Sequence, residues 1–224
     1  MSVASSRTRQ THGETREIIL AAAERLFAEH GVAAVSSRQV AEAAGQANNS
    51  AVGYHFGTKN DLVLAIVRRH APSVERRREK MLAEAEGSSE LRDWLTYLVQ
   101  PLTEHLASLG KQSRYARFIA QATTDPACRQ VVIDEAEASP TINVEELERL
   151  LPILPMDVRE ERAEMMRHLI VHVCAERERA LHDGTATPRD TWEATGTGLV
   201  DALMGLWLAP YTPTKGPKRK RTRI

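Results

Sequence analysis

The sequence has few of the residues that would indicate export, a membrane span or a disulfide-stabilised fold. Its 224 residues include two cysteines, Cys128 and Cys174, which are too few for a disulfide framework. No apolar run approaches the roughly 18–20 residues that cross a membrane. The polar stretch 1–13 lacks the apolar segment of a signal peptide. These absences predict a cytoplasmic protein with no membrane partner, whose cysteines are inert thiols rather than a redox switch.

Aromatic residues are also scarce, at 4% of the chain, whereas alanine, leucine, glutamate and arginine are abundant. This composition favours helices. No stretch shows the sustained alternation of apolar and polar residues that is typical of strands, so we predict an all-α protein. The hydrophobic fraction of 42% argues against wholesale disorder.

Motifs of common enzyme classes are missing as well. The chain has no glycine-rich phosphate loop and no G-x-S-x-G nucleophile elbow, so we predict that it is not an enzyme and holds no cofactor. His168 and His172 are four residues apart on a predicted helix and could share a metal ion with Glu164 or Glu176. No third histidine or cysteine lies at ligand spacing, so we favour a packing or pocket face and predict no metal site.

Charge is unevenly distributed although the net charge is zero. Residues 1–60 carry six basic and five acidic side chains, residues 61–212 carry 18 and 25, and residues 213–224 carry six and none. The acidic middle segment would repel a polyanion, so any nucleic-acid surface is expected near the two ends. The basic tail by itself is typical of a solvated, flexible extension.

The first 60 residues divide into short helices with clear boundaries. A capping box at Thr11–Glu14 predicts the start of the first helix, and Gly31 predicts its end. A second box at Ser36–Gln39 opens a shorter helix with Val40, Ala41 and Ala44 inward, which ends at Gly45.

Further helices follow along the chain. A third short helix is predicted over 49–55, and Thr58–Asp61 caps a long helix that begins near Asn60 and contains Pro72, where we expect a bend or a break. The remaining helices are predicted over 90–109, 113–124, 127–138, 143–151, 157–182 and 189–208.

Residues 36–55 have the form of a helix-turn-helix, with two short helices around a glycine-containing turn. Val52 and Phe56 point inward on the last helix, and the opposite flank is polar. Asparagine and serine can bond base edges and a phenol can reach a phosphate, which indicates DNA binding. The alternative is a helix pair in which Asn48 and Asn49 act only as caps.

Several runs in residues 14–71 resemble the TetR/AcrR family of bacterial transcriptional regulators. They are Ile19-Leu-Ala-Ala-Ala-Glu-Arg-Leu-Phe27, Gly31, Val40-Ala-Glu-Ala-Ala-Gly45, Tyr54-His-Phe-Gly-Thr-Lys59 and Leu62. The resemblance implies a three-helix helix-turn-helix domain followed by a larger C-terminal helical domain. The implied divisions are a flexible arm (1–13), the DNA-binding domain (14–59), an all-α ligand-binding and dimerisation domain (60–210) and a basic flexible tail (211–224).

The resemblance also implies roles for single residues. Phosphates would meet Ser37, Arg38, Tyr54, His55 and Lys59, bases would meet Asn48, Asn49, Ser50 and Gly53, and Gln46 is a further DNA-binding residue. An alternative for the His55 imidazole is packing between helices as a hydrogen-bonding residue. The turn is one residue longer than the common family form, and Gly53 replaces a frequent aromatic.

Two further sets of candidate residues lie in the predicted ligand-binding and dimerisation domain. Candidate pocket residues combine aromatic or apolar bodies with polar groups, and they are Trp94, Tyr97, Arg114, Arg117, Phe118, Met165, His168 and His172. The alternative is ordinary core with solvated arginines. In the last helix, Leu199, Ala202, Leu203 and Leu206 form a stripe that the resemblance assigns to a homodimer interface, with packing inside one subunit as the alternative.

These observations predict a ligand-responsive transcriptional repressor. Its partners would be a double-stranded, palindromic DNA operator, a small-molecule effector and a second copy of the chain, and Pro72 would be a place where motion is transmitted. Repression follows from the resemblance alone. The alternative is an all-helical ligand-binding or protein-interaction module that no longer reads DNA.

Overall fold

The computed structural model describes residues 2–48, 50–84, 88–141 and 149–213, with side chains from residue 13 onward. Within these residues the chain is helical and contains no strand, as predicted. The helices with described bounds are α1 (Ser2–His30), α2 (Ser37–Ala43), α3 (Ala51–Phe56), α4 (Lys59–Glu84), α5 (Leu91–Leu109), α6 (Tyr115–Thr124), α7 (Arg129–Glu137), α8 (Met156–Asp183) and α9 (Trp192–Leu208). No helix in the described part of the chain is long and apolar enough to cross a membrane.

The first helix is longer than predicted. It begins at Ser2 rather than at the Thr11–Glu14 box, so residues 2–13 continue α1 instead of forming a separate arm. The stretch 2–12 contains neither proline nor glycine, and a preceding helical turn already satisfies the backbone N–H groups that a cap would serve. The C-terminal end is as predicted, because Gly31 has a φ of 84° that favours glycine.

Helix α4 joins the helix-turn-helix to the rest of the molecule without interruption. Pro72 lies inside it, and the helix continues to Glu84, so the prediction of a break is wrong. Proline removes one backbone hydrogen bond, but Pro72 is exposed, so water can reach the carbonyl that loses its donor.

The body helices agree with the predicted ranges to within about three residues. The helix predicted over 143–151 falls mostly outside the described residues, although 149 and 150 are helical. Helix α9 packs against α5 and α8, α6 packs against α1 and α8, and α7 packs against α4 and α6. One continuous apolar core runs from α1 to α9 and includes Phe27, Leu95, Phe118 and Leu203.

Both cysteines are buried and free. Burial raises the pKa of the Cys128 thiol to about 11 and that of the Cys174 thiol to about 12. A thiol that stays protonated at neutral pH is a poor nucleophile, which supports the interpretation of both residues as inert.

Candidate nucleic-acid interface

The helix-turn-helix begins with a cap built entirely from neighbouring residues. The Ser36 side chain accepts a hydrogen bond from the Gln39 backbone N–H at 3.2 Å, and the Gln39 side chain accepts one from the Ser36 N–H at 2.8 Å. This is the predicted capping box. Val40 and Ala41 on the inner face of α2 are fully buried, which fixes the helix against α1.

The turn between α2 and α3 is held by backbone and amide hydrogen bonds. Gly45 has a φ of 65°, and the Gln46 N–H bonds to the Ala41 carbonyl at 2.9 Å. The Asn48 side chain accepts a bond from the Ser50 N–H at 2.9 Å, an Asx turn that leads into α3. Asn48 is exposed, and its side chain already accepts a hydrogen bond within the turn. Asn49 lies outside the described residues.

Helix α3 has one buried and one exposed flank. Val52 is buried against the core, and Phe56 is half-buried beneath the Arg16 guanidinium, 4.9 Å from the ring centre. On the other flank Ser50 and Gly53 are exposed, and Tyr54 is 76% exposed. Tyr54 therefore lies on the same exposed flank of α3 as Ser50 and Gly53.

Gly53 faces open space. Apart from its chain neighbours and the backbone of α3, a Cβ built on this residue would meet no described atom within 4 Å. Glycine costs roughly 1 kcal/mol relative to alanine in a helix interior, and packing inside the protein does not require it here. The absent side chain therefore leaves room for close approach by an external partner to the α3 backbone.

The start of α4 is capped as locally as that of α2. The Thr58 N–H and hydroxyl donate to Asp61 Oδ2 at 2.9 and 2.7 Å, and the Asp61 N–H donates to Thr58 Oγ1 at 3.2 Å. The Thr58 hydroxyl holds the pKa of the Asp61 carboxyl below its usual range. Gly57, with a φ of 82°, makes the preceding turn possible.

Two of the predicted phosphate contacts have partners inside the chain. Lys59 Nζ donates to the Val32 carbonyl at 3.0 Å and ties α4 to the turn after α1. Arg38 Nε donates to Glu42 at 2.8 Å on the exposed face of α2. An ammonium retains two further donors and the Arg38 pair is exposed, so both residues can still be recruited by a phosphate.

The remaining residues predicted to contact DNA are Ser37, Gln46 and His55, and they are exposed or half-buried. Ser37 is exposed in the first turn of α2, and Gln46 is half-buried and donates to the Ala44 carbonyl at 3.2 Å. His55 is half-buried, with its ring 5.2 Å from that of Tyr54 in an edge-on arrangement. This position fits the packing interpretation of His55.

The structure brings the predicted pocket residues together only in pairs, with 5.8 Å between the ring centres of Trp94 and Tyr97 and 6.0 Å between those of His168 and His172. Phe118 and Arg117 are buried in α6, Trp94 donates to the Ser88 carbonyl, and Met165 and His168 are exposed on α8. Tyr97 is half-buried on α5 and contributes its carbonyl to Arg78. Helical periodicity identified neighbours on single helices, but neither of two open clefts takes in the whole set.

Two open clefts each take in one of these residues. A cleft of about 620 Å³ between α8, α9 and the loop joining them includes His172. A second cleft, of about 570 Å³, lies among α1, α4 and the turn before α6, and it includes Arg114.

The predicted dimer stripe is divided between the inside and the outside of the subunit. Leu199 and Leu203 are 3% and 0% exposed and pack within their own subunit, so their assignment to an interface between copies is corrected. Ala202 is exposed and Leu206 half-buried. Gly196 lies one turn before Leu199 and allows α9 to approach α5 closely. A Cβ on Gly196 would lie only 2.9 Å from Thr103 Oγ1.

A buried polar cluster between the helix-turn-helix and the body was not predicted. His70 Nδ1 lies 2.9 Å from His105 Nε2, and His70 Nε2 lies 3.0 Å from Glu24 Oε2. The Tyr115 ring stacks on His70 with 3.8 Å between centres. Burial lowers the pKa of His105 to about 4. These four residues come from α1, α4, α5 and α6, and no local sequence pattern connects them.

Comparisons with known families agree with this architecture. Residues 19–66 match the sequence model of bacterial regulatory proteins of the tetR family. Residues 96–205 match the C-terminal domain model of tetracyclin repressor-like proteins. Together the two matches cover more than half of the chain.

Individual relatives are similar over part of their length. The HTH-type transcriptional repressor AcnR of Corynebacterium glutamicum is 32% identical over 128 residues, and AcnR of Corynebacterium efficiens is 33% identical over 127. Each alignment covers 54% of this chain and 61% of the relative, so the chain spans about three-fifths of the length of these relatives.

A solved structure shares the fold. NalD, the secondary repressor of the MexAB-OprM multidrug efflux pump in Pseudomonas aeruginosa, superimposes with a TM-score of 0.54 at 21% identity. The match covers 86% of this chain and 96% of NalD.

Proposed function

Because the chain belongs to the TetR family of bacterial regulatory proteins, whose members are transcriptional regulators rather than enzymes, we propose that it is a ligand-responsive repressor. It binds a palindromic operator as a homodimer and leaves it when a small-molecule effector binds. The observation that carries the DNA-binding part is the exposed flank of α3, where Tyr54 and Gly53 face solvent opposite the buried Val52.

The proposed contacts are divided between phosphates and bases. The Tyr54 hydroxyl and the first turn of α2, at Ser37 and Arg38, meet phosphates and set the orientation of the domain. Ser50 and the neighbouring Asn49 are the proposed contacts to base edges in the major groove. Gly53 lets the α3 backbone approach the groove floor, since a side chain there would project into the space that the DNA occupies.

Homodimerisation is supported by the apolar surface that α8 and α9 leave exposed. Met165 and Val173 on α8, and Ala202 and Leu208 on α9, are exposed although they are apolar. Exposed apolar residues on adjacent helices are typical of interfaces, and a twofold arrangement presents the same face from both copies. Two copies then present two α3 helices to successive major grooves.

Effector release is supported by the position of the cleft of about 570 Å³. Ala22 on α1, Arg69 on α4 and Leu109 at the end of α5 all line it, so a ligand there contacts the helix-turn-helix and the body together. Its volume is in the range of small-molecule sites, roughly 300–1,000 Å³. A ligand that fits one arrangement of these helices better shifts the population toward that arrangement.

Selection of bound duplexes from a random pool tests this proposal. The purified chain is expected to enrich a palindrome whose half-site centres lie about 34–36 Å apart or a multiple of this. Sedimentation of the protein–DNA complex is expected to give two chains per site. A helical ligand carrier would enrich no sequence, and that result would overturn the proposal.

Variants assign the contacts once an operator is known. Tyr54→Phe is expected to weaken binding to all sequences alike, because it removes a phosphate contact, whereas Asn49→Ala and Ser50→Ala are expected to reduce discrimination between sequences. Tyr211→Phe, at an exposed tyrosine beyond α9, is the matched control and is expected to bind like the parent. Equal binding by Tyr54→Phe and the parent would remove Tyr54 from the interface.

A further inference from the structure

Glu178 is a buried carboxylate on α8 whose hydrogen bonds all go to the start of α6. It is 2% exposed. Its Oε1 accepts from the Ser113 hydroxyl at 2.6 Å and from the Ala116 N–H at 3.1 Å, and its Oε2 accepts from the Arg117 N–H at 2.9 Å and from Arg117 Nε at 3.3 Å. Four donors satisfy a charge that would otherwise be costly to bury.

Helix α6 has only a long local cap bond, in which Ser113 Oγ accepts from the Tyr115 N–H at 3.4 Å. The residue at its N-cap position, Arg114, makes no side-chain cap hydrogen bond, and the first turn contains no acidic residue. The first N–H groups of a helix need acceptors and carry a partial positive charge. Glu178 supplies both the acceptor and the negative charge from a residue more than 60 positions away.

The same helix holds the first helix of the DNA-binding domain. Phe118 stacks on Phe27 of α1 with 6.2 Å between ring centres, and both are fully buried. Arg114 Nε donates to Glu29 of α1 at 3.0 Å. Helix α6 is therefore fixed to α8 by its backbone and to α1 by its side chains.

We propose that Glu178 is a positioning residue that sets where the DNA-binding domain sits relative to α8, acting through α6. Its carboxylate fixes the N-terminal turn of α6 on α8. Phe118 in that turn and Arg114 just before it contact α1, so the position of α6 determines the position of α1. Replacing the carboxylate by an amide removes the charge and one of the two acceptor oxygens, so either the Ala116 or the Arg117 N–H loses its acceptor and α1 is no longer held at one distance from α8. The consequence for operator binding rests on the proposed function above.

The test is the isosteric variant Glu178→Gln, compared with Glu160→Gln, an exposed carboxylate on the same helix. Two quantities are measured well below the melting temperature: operator affinity, and hydrogen exchange of the α1 amides over residues 19–30. Glu178→Gln is expected to lower operator affinity about tenfold, within the range for residues that alter coupling without touching either ligand. It is also expected to speed exchange in α1 while sedimentation still shows a dimer.

The outcomes separate this proposal from the proposed function. A variant with a lower melting temperature but parental affinity and parental α1 exchange would show a purely structural role and overturn the proposal. If the parent itself binds no DNA, the proposed function fails, and α1 exchange alone still decides the role of Glu178. Glu160→Gln is expected to behave like the parent in both measurements.

A second variant covers the case in which Glu178→Gln does not fold. Arg114→Gln removes the bond to Glu29 at the α1 end of the same connection and leaves Glu178 in place. It is expected to lower operator affinity in the same direction, by about twofold to threefold, because the Arg114–Glu29 pair is partly exposed. Unchanged affinity together with unchanged α1 exchange in Arg114→Gln would overturn the proposal.

Discussion

Helices α2 and α6 both begin at a side-chain cap, but the caps come from different distances along the chain. Helix α2 is capped by Ser36 and Gln39, which are immediate neighbours. Helix α6 is capped by Glu178, which lies on another helix. The start of α2 is thus fixed by contacts close in sequence, whereas the start of α6 is fixed mainly by a contact between distant residues.

Other helix ends show both kinds of contact, and in the body α9 also begins at a local cap, where Thr191 Oγ1 accepts from the Ala194 N–H at 3.0 Å. Thr58 and Asp61 cap α4 locally. In the body, the buried Arg162 of α8 donates to the Trp207 and Ala209 carbonyls at 2.8 and 2.7 Å and so binds the C-terminal end of α9. A cation at a helix C-terminus and an anion at a helix N-terminus both complement the backbone dipole. Helix α8 therefore stabilises two neighbouring helices with opposite charges.

The largest expected effect tests the body side of this comparison. Phe118→Ala removes a ring that is 0% exposed and stacked on Phe27, so the free energy of unfolding is expected to fall by about 3–5 kcal/mol. Tyr54→Ala removes a similar ring from the solvent side of α3 and is expected to change stability by less than about 0.5 kcal/mol. Urea unfolding of both variants measures the difference, and a similar loss in both would contradict the assigned burial.

The second prediction concerns the buried pair His70 and His105. The folded pKa of His105 is lowered by burial from 6.5 to about 4, so between these values the unfolded chain binds a proton that the folded chain does not. The free energy of unfolding is therefore expected to fall as the pH is lowered from about 6.5 to about 4, by an amount governed by about 1.4 kcal/mol per unit of pKa difference.

The variant His105→Gln isolates this contribution. An amide can still bond the His70 ring but does not titrate, so the pH dependence of stability over this interval is expected to become flatter than in the parent. The measurement is chemical denaturation at pH 7, 6, 5 and 4.5. Parallel curves for parent and variant would show that His105 is not the group responsible.

A smaller effect tests the local cap. Ser36→Ala removes the acceptor for the Gln39 N–H, and a loss of about 1 kcal/mol is expected. Ser37→Ala, one residue later and exposed, is the matched control and is expected to leave stability close to that of the parent. Thermal unfolding of the two variants measures whether stability depends on the capping box at Ser36 and not on the exposed Ser37.

The smallest effect has the opposite sign. Gly53→Ala is expected to raise the free energy of unfolding by up to about 1 kcal/mol, because alanine favours the helix and its methyl group meets no described atom beyond its chain neighbours and the α3 backbone. Chemical denaturation measures this gain. A loss of stability would show that the space beside Gly53 is filled within the protein.

The division between local and distant contacts also explains what sequence reasoning could and could not predict. The caps at Ser36 and Thr58, the turn at Gly45 and the buried Val52 were predicted because each signal lies within a few residues. The cap that Glu178 provides could not be predicted, because nothing in the sequence near Glu178 indicates which helix this side chain contacts. Leu199 and Leu203 show the same limit: periodicity gave an apolar stripe but not the side against which it packs.

The most direct test of the central claim, that the exposed flank of α3 reads DNA, is the operator affinity of Gly53→Leu. The substitution is expected to leave the fold intact, since the position faces open space. Its side chain is expected to lower affinity for the selected operator by about tenfold to a hundredfold, the cost of losing one or two base contacts. Binding to unrelated DNA is expected to change little. Parental affinity for the operator in Gly53→Leu would contradict the account.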